Sequence, residues 1–322
     1  MQEAFLITLG KMVEILGILL IGFMLRKWNV LPEQTPKVLS GLTAKLFMPS
    51  LIFMAMLRNC TPAKLTENAP LVLYGGAIAV LCLLESFPVA ALFERKNQVL
   101  KHQYRYSVAV PNSGAAALPL GIALGGSVML FQMNLFNLIL SVITYSWGIM
   151  QLIPGGKGGF KAGLRRLINP VLGGLGLGVV LGLLGGEEWI PMPIQNLVDS
   201  FGNCYVIAAV MLTGYTIAGF NLRGTLKDYK IYLFAIVRLL LIPLALLGLC
   251  WLIKVPAIVT VLAILVYAGP CGMNPIIFAT EHGVDNKKVA GILLVTMPLA
   301  TVTIPLLYAL TIKLTGWVPA IG

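Results

Sequence analysis

Val110-Pro111-Asn112-Ser113-Gly114, followed by Pro119, and Gly269-Pro270-Cys271-Gly272-Met273-Asn274-Pro275 each interrupt an apolar block long enough to cross a bilayer. Proline removes a backbone donor and clashes with the preceding turn, and glycine weakens a helix further. Paired breaks of this kind leave several N–H and C=O groups without partners inside the helix. In hydrocarbon such groups are costly unless the segment lines a polar cavity. Single kinks are common in membrane helices, so either motif alone decides nothing. Their spacing does: Pro111 and Pro270 stand 159 residues apart, an offset that recurs along the chain.

Apolar blocks run over about 4–25, 38–57, 70–93, 105–126, 128–153, 168–186, 193–220, 229–253, 256–280 and 288–315, each near the roughly 20 residues a spanning helix needs. Of the 322 residues, 58% are hydrophobic and 11% charged, against about a quarter charged in a soluble domain. Mean hydropathy is +0.90. No alternation recurs at the roughly ten-residue period of a membrane β-barrel. The first block follows Glu3 with neither a basic leader nor a small-residue cleavage site, so it reads as a span and not a signal peptide.

Basic residues orient the blocks. Sixteen fall in the loops after odd-numbered spans: Arg26, Lys27, Lys37, Arg95, Lys96, Lys101, Arg105, Lys157, Lys161, Arg165, Arg166, Arg223, Lys227, Lys230, Lys287 and Lys288. The other side holds Lys11, Arg58, Lys64, Lys254 and Lys313. The positive-inside rule then predicts a multi-pass protein of the cell membrane (plasma or inner) with both termini outside. The net charge of +11 is accounted for by topology, and no aromatic-interleaved patch suggests nucleic acid.

The spacing predicts an all-α membrane protein of ten transmembrane helices in two inverted five-helix repeats, with broken, crossing fourth and ninth helices. Residues 1–153 form the first repeat, 154–167 a cytoplasmic Gly/basic linker, and 168–322 the second. Five spans per half force the second half to enter the membrane in the opposite direction, an architecture frequent in secondary transporters.

Half-helix N-termini at the breaks offer N–H groups and positive dipole ends that suit a carboxylate. The candidate substrate contacts there are Asn112, Ser113, Gly114, Gly272 and Asn274, framed by Pro111, Pro119, Pro270 and Pro275. In span five, Asn134, Asn137 and Ser141 share one helical face at i, i+3, i+7, either lining a cavity or joining helices. Thr296 and Thr303 repeat that spacing in span ten. Charges within spans are functional candidates. Lys11 and Glu14 read as a local ion pair, Lys45 and Asp199 as potential partners, and Glu85 and Arg238 as a structural pair or a proton-coupling site. Gly174, Gly178 and Gly182 form a smooth face for close packing within the chain, with a homodimer through the scaffold spans as its other use.

The five cysteines lack metal or disulfide spacing and read as free thiols. Asn59-Cys60-Thr61 matches a glycosylation sequon. No Walker sequence, nucleophile–base arrangement or ligand cluster is present, so no metal or cofactor is expected and the chain does not read as an enzyme. His102 and His282 both lie near cytoplasmic ends.

Several motifs together resemble the auxin efflux carrier family of membrane permeases, distantly similar to the plant PIN auxin exporters. They are Phe47-Met48-Pro49, Val110-Pro111-Asn112 through Pro119, Asn169-Pro170, Val237-Arg238 with Pro243, and Pro270 and Pro275 followed by Phe278-Ala279-Thr280-Glu281-His282-Gly283-Val284. The resemblance covers the whole chain. It implies a scaffold of spans one, two, six and seven, a moving domain of spans three to five and eight to ten, and a site at the crossing with Asn112 and Asn169 near the substrate carboxylate. One departure stands out. The plant exporters carry an acid early in span three where this chain has Gly75 and Gly76, and its only acid in that span is Glu85.

The expectation is therefore a secondary active transporter of a small organic anion, working by elevator-type alternating access, with H+ or Na+ as coupling ion. The bilayer and the anion are its partners, and nucleic acid is not. The alternatives are a bile-acid-type sodium-coupled symporter and a non-transporting sensor built on a transporter fold.

Overall fold

The computed structural model describes residues 2–152, 169–220, 224–276 and 285–317. The linker at 154–167, the basic residues Lys157, Lys161, Arg165, Arg166 and Arg223, and the motif from Phe278 to Val284 with His282 lie outside the described residues. Within them the chain is helical, with one isolated antiparallel bridge and no strand. In chain order the helices are α1 (Gln2–Lys27), α2 (Thr35–Leu42), α3 (Met48–Asn59), α4 (Pro62–Asn68), α5 (Pro70–Phe93), α6 (Gln98–Ala109), α7 (Leu118–Phe136), α8 (Leu138–Ile143) and α9 (Ile149–Leu152). They continue with α10 (Pro170–Leu183), α11 (Met192–Ala218), α12 (Tyr229–Ile236), α13 (Ile242–Leu252), α14 (Ala257–Tyr267) and α15 (Lys287–Thr315).

Among the described residues seven helical stretches are long and apolar enough to cross a membrane: Phe5–Lys27, Thr35–Asn59, Pro62–Phe93, Leu118–Phe136, Met192–Ala218, Tyr229–Leu252 and Lys287–Thr315. Apolar helices over Leu138–Leu152, Pro170–Leu183 and Ala257–Tyr267 are shorter. Trp28, Tyr229, Trp189 and Trp251, at or just beyond helix ends, are exposed, as aromatic side chains of an interfacial belt would be.

Leu118–Phe136 is not one straight rod. Gly125 and Gly126 are non-helical, the latter at φ 57°, a left-handed conformation that glycine adopts without Cβ strain. A Cβ at Gly121 would strike the Met133 side chain, and one at Gly125 would strike Met129. In a continuous helix residues 121 and 133 would lie about 18 Å apart. The chain therefore reverses at Gly125-Gly126, at the boundary expected between the fourth and fifth apolar blocks.

Proline accompanies three of the π turns among the described residues. Pro49, Pro119 and Pro243 each follow a five-residue π turn by two positions: Thr43–Phe47, Ser113–Ala117 and Val237–Leu241. The wider turn moves away the carbonyl that the ring would strike and absorbs the missing donor.

Packing groups the helices into two sets, which also meet each other where α1 lies on α15 and α3 on α7. In the first, α10 lies on α3 through the expected glycine face, with Gly174 on the Pro49 backbone, Gly178 on Phe53 and Met56, and Gly182 on Met56 and Cys60. Also in this set α11 packs on α1 and α3. In the second set α5 packs on α6, α7 and α8, and α15 on α12, α13 and α14. An aromatic cluster of Phe93, Tyr104 and Phe234, with centroids 4.9–5.6 Å apart, joins α5, α6 and α12. Gly75 lies against the Phe136 backbone, so an acidic side chain could not occupy that position without separating α5 from α7.

Ion pairs stay within these sets. Lys11 and Glu14 pair at 2.6 Å as expected. Asp199 does not meet Lys45. It takes a two-pronged bond from Arg58 at 2.6 and 3.1 Å, and Glu187 adds a contact at 3.5 Å to the same guanidinium. Lys45 is exposed. Lys288 pairs with Asp228 at 2.8 Å. Burial alone would raise the Asp228 carboxyl, but the Lys288 bond, the Lys230 N–H and the nearby ammonium charges outweigh it and hold it below the usual range. Among the described residues no ion pair joins the two sets.

All five cysteines are free, and only Cys204 is exposed. Asn59 of the sequon is buried, donating to Ala55 O and accepting from Lys64 Nζ, so its amide is engaged inside the helix end.

Candidate functional site

The two interrupted stretches meet. α6 ends at Ala109, Val110 is extended, and helical structure resumes at Ser113. α14 ends at Tyr267, and helix resumes at Asn274. Between these ends Pro111 and Cys271 form the antiparallel bridge, and the Asn112 N–H donates to Pro270 O at 3.0 Å. Other freed backbone groups also find partners. The Cys271 N–H reaches Thr296 Oγ1 at 3.4 Å, while Arg238 donates from Nε to Ser107 O and from Nη1 to Tyr267 O. Backbone that would be intolerable in hydrocarbon is thus satisfied by protein.

Beside the crossing lies a cavity of about 250 Å³. One wall is the crossing itself, with Pro111, Asn112, Ser113, Gly114, Gly272, Met273 and Asn274. A second wall carries Asn137, Ser141, Thr144 and Tyr145 from α8 and its π turn. The facing wall belongs to the other packing set, with Thr43 and Met48 from the second apolar block and Tyr205, Ala209 and Thr213 from α11. Tyr106 closes one end, its Oη accepting from Asn274 Nδ2 at 2.6 Å. Tyr205 Oη sits where a Cβ on Gly114 would be. Asn137 Oδ1 is buried without a hydrogen-bond partner. Among the described residues no charged side chain lines it. The arrangement offers amide and hydroxyl groups, plus the N-terminal end of the helix that runs from Ser113 toward Gly125.

Of the residues singled out from sequence, Pro111, Asn112, Ser113, Gly114, Asn137, Ser141, Gly272 and Asn274 line this cavity; Pro111 also bridges to Cys271, and Pro270 O accepts from the Asn112 N–H. Pro119 lies buried behind the wall and Pro275 opens the resumed helix. Asn134 is elsewhere. The helix breaks at Asn137, at φ −86° and ψ 2°, so the face shared by Asn137 and Ser141 does not extend back, and Asn134 donates to Leu130 O of its own helix at 2.7 Å. Asn169 also lies outside the lining. It is the N-cap of α10, accepting from the Leu172 N–H at 3.0 Å. Glu85 and Arg238 do not pair, because Arg238 is fully buried against backbone carbonyls and Glu85 is half-buried outside the cavity. Thr296 caps the break, and Thr303 does not reach the cavity.

Sequence reasoning missed Tyr106, Tyr145, Tyr205, Thr43 and Thr213. One signal was present: Asn137, Ser141 and Tyr145 continue at i, i+4, i+8 on one face. Nothing in the chain marks the two α11 residues apart from other membrane-helix polar groups.

Apolar spanning helices, two of them broken and paired over a polar cavity, define a multi-pass membrane transport protein. A family model described as membrane transport protein matches the chain twice, over residues 7–163 and 157–308. An uncharacterized transporter of Methanothermobacter thermautotrophicus is 24% identical over 300 residues, 91% of this chain and 95% of that relative. The chain belongs to this transport family, the auxin efflux carrier family of permeases, and not to an enzyme family.

Proposed function

We propose that this transporter carries a small organic anion bearing a carboxylate, by secondary active transport of the elevator type. The observation that carries the reading is the uncharged polar cavity under the paired breaks. A carboxylate there meets amide and hydroxyl donors and a helix N-terminus, and among the described lining residues no fixed negative charge opposes it. Tyr106 and Tyr145 can add phenol donors. In this reading ten spans form two inverted repeats, residues 1–153 and 168–322 around the linker. The set containing α1–α3, α10 and α11 is the scaffold, and the rest moves. The double family match and the absence of ion pairs between the sets, among the described residues, support a sliding boundary.

In the proposed topology the cavity opens toward the basic-loop side, because its lining residues Thr43, Tyr145 and Thr213 stand toward those ends of their spans. Opposite it, Met12, Ile15, Leu19, Ala116 and Met297 leave a void of only about 10 Å³ beside Pro270, too small for an organic anion. We read this as the inward-facing conformation, with both termini outside a plasma or inner membrane. A cysteine in the 155–163 linker should then be shielded from an impermeant external thiol reagent in intact cells, while one at Gly322 should react. The reverse pattern inverts the topology.

Uptake of labelled C3–C5 dicarboxylates and indole acids into proteoliposomes, with and without H+ and Na+ gradients, tests the function. The expected result is saturable uptake of at least one of them, and no uptake of any sinks the reading. Glu85→Gln in the same vesicles tests coupling. A proton-carrier role requires loss of pH-gradient dependence with substrate exchange retained, and unchanged pH dependence removes Glu85 from coupling.

A further inference from the structure

Arg238 heads the fully buried side chains by volume, yet no carboxylate lies within ion-pair distance of it among the described residues. An uncompensated cation inside a membrane protein is unfavourable. Backbone compensates two of its three nitrogens, while Nη2 is buried without a hydrogen-bond partner among the described residues. Nε donates at 3.1 Å to Ser107 O in the last turn of α6, and Nη1 donates to the carbonyl of Tyr267, the last residue of α14. The last four carbonyls of a helix lack intrahelical partners, and its C-terminus carries about half a negative charge. Two such ends present about one negative charge, which matches one guanidinium.

The geometry is that of a clamp. Arg238 comes from a third element, the π turn Val237–Leu241, and grips the ends of both broken helices beside the Pro111–Cys271 bridge. Its planar fork can hold two acceptors in fixed directions at once. We propose that Arg238 is a positioning residue. It sets the register in which α6 and α14 cross, and through it places Asn112 and Asn274 on one cavity wall, without itself reaching the cavity. The consequence for transport rests on the function proposed above, whereas the clamp can be tested apart from it.

Hydrogen exchange on the purified full-length protein in lipid nanodiscs provides that test, for the wild type, Arg238→Lys and Arg238→Gln. The Asn112 amide is bonded across the crossing to Pro270 O, and the Cys271 amide beside it to Thr296 on α15. Arg238→Gln should speed exchange at 108–113 and 267–274 by about tenfold or more, with 170–183 on the α3–α10 contact unchanged. Arg238→Lys keeps the charge but not the fork, so it should fall between, and it serves alone if the glutamine variant does not fold. In proteoliposomes the same order should appear in the KM for labelled malonate or indole-3-acetate. Unchanged exchange at the crossing would overturn the clamp, and so would an increase shared equally by 170–183. If the wild type carries neither probe, the transport reading fails in that arm, while exchange still decides the clamp.

Discussion

Asn112→Ala should weaken apparent substrate affinity about ten- to a hundredfold while leaving the protein folded. The side chain lines the cavity at the crossing, and a hydrogen bond to a charged group contributes about 1.5–3 kcal/mol. The backbone pairing of Asn112 to Pro270 needs only its N–H, so alanine preserves the crossing. Asn134→Ala is the matched control: it removes the same side chain from a neighbouring helix, where the amide bonds only its own helix at Leu130 O among the contacts described. Uptake kinetics and thermal melting on both variants check this. Equal losses at the two positions would make Asn112 a packing residue.

Gly114→Ala should reduce transport by about tenfold or more, and Tyr205→Phe in the same chain should restore much of it. The added methyl would collide with Tyr205 Oη, and overpacking of this kind costs about 1–3 kcal/mol, or roughly ten- to a hundredfold. Phenylalanine removes the colliding oxygen alone. The contact matters because it joins the two packing sets: Gly114 belongs to the crossing and Tyr205 to α11. A double-mutant cycle on initial uptake rates measures the coupling. Additive effects would show that the two residues act separately.

Much of this was legible in the chain because its physical causes are local. Proline and glycine break a helix wherever they stand, so Pro111 and Pro270 announced the interruptions without a structure. Gly174, Gly178 and Gly182 recur every four residues, which makes a smooth helical face whatever packs on it. What failed was reasoning that needed phase or partner. Asn134 was assigned to the face of Asn137 on the assumption of an unbroken helix, and the break at Asn137 rotated it away. Asn169 resembled a ligand by motif, yet an asparagine just before a proline-led helix is also a capping residue. That is how it is used here.

The charged residues divide in the same way. From sequence alone Lys11 and Glu14 could be paired, because three residues on a helix bring side chains together. Asp199 and Arg58 are 141 residues apart, and nothing local links them. Glu85 and Arg238, in equivalent spans of the two halves, read as a structural pair or a proton-coupling site, and a buried cation does call for a negative partner. That inference was sound, and the partner proved to be the carbonyl ends of two helices, which no residue letter encodes. By itself the sequence determined the membrane class, the basic-residue asymmetry and the two breaks, since each follows from side-chain chemistry over a few turns. Only the tertiary structure decided that the breaks pair backbone to backbone, that tyrosines from separate helices converge on one cavity, and that helix ends neutralise Arg238. Those depend on which helices come to lie side by side.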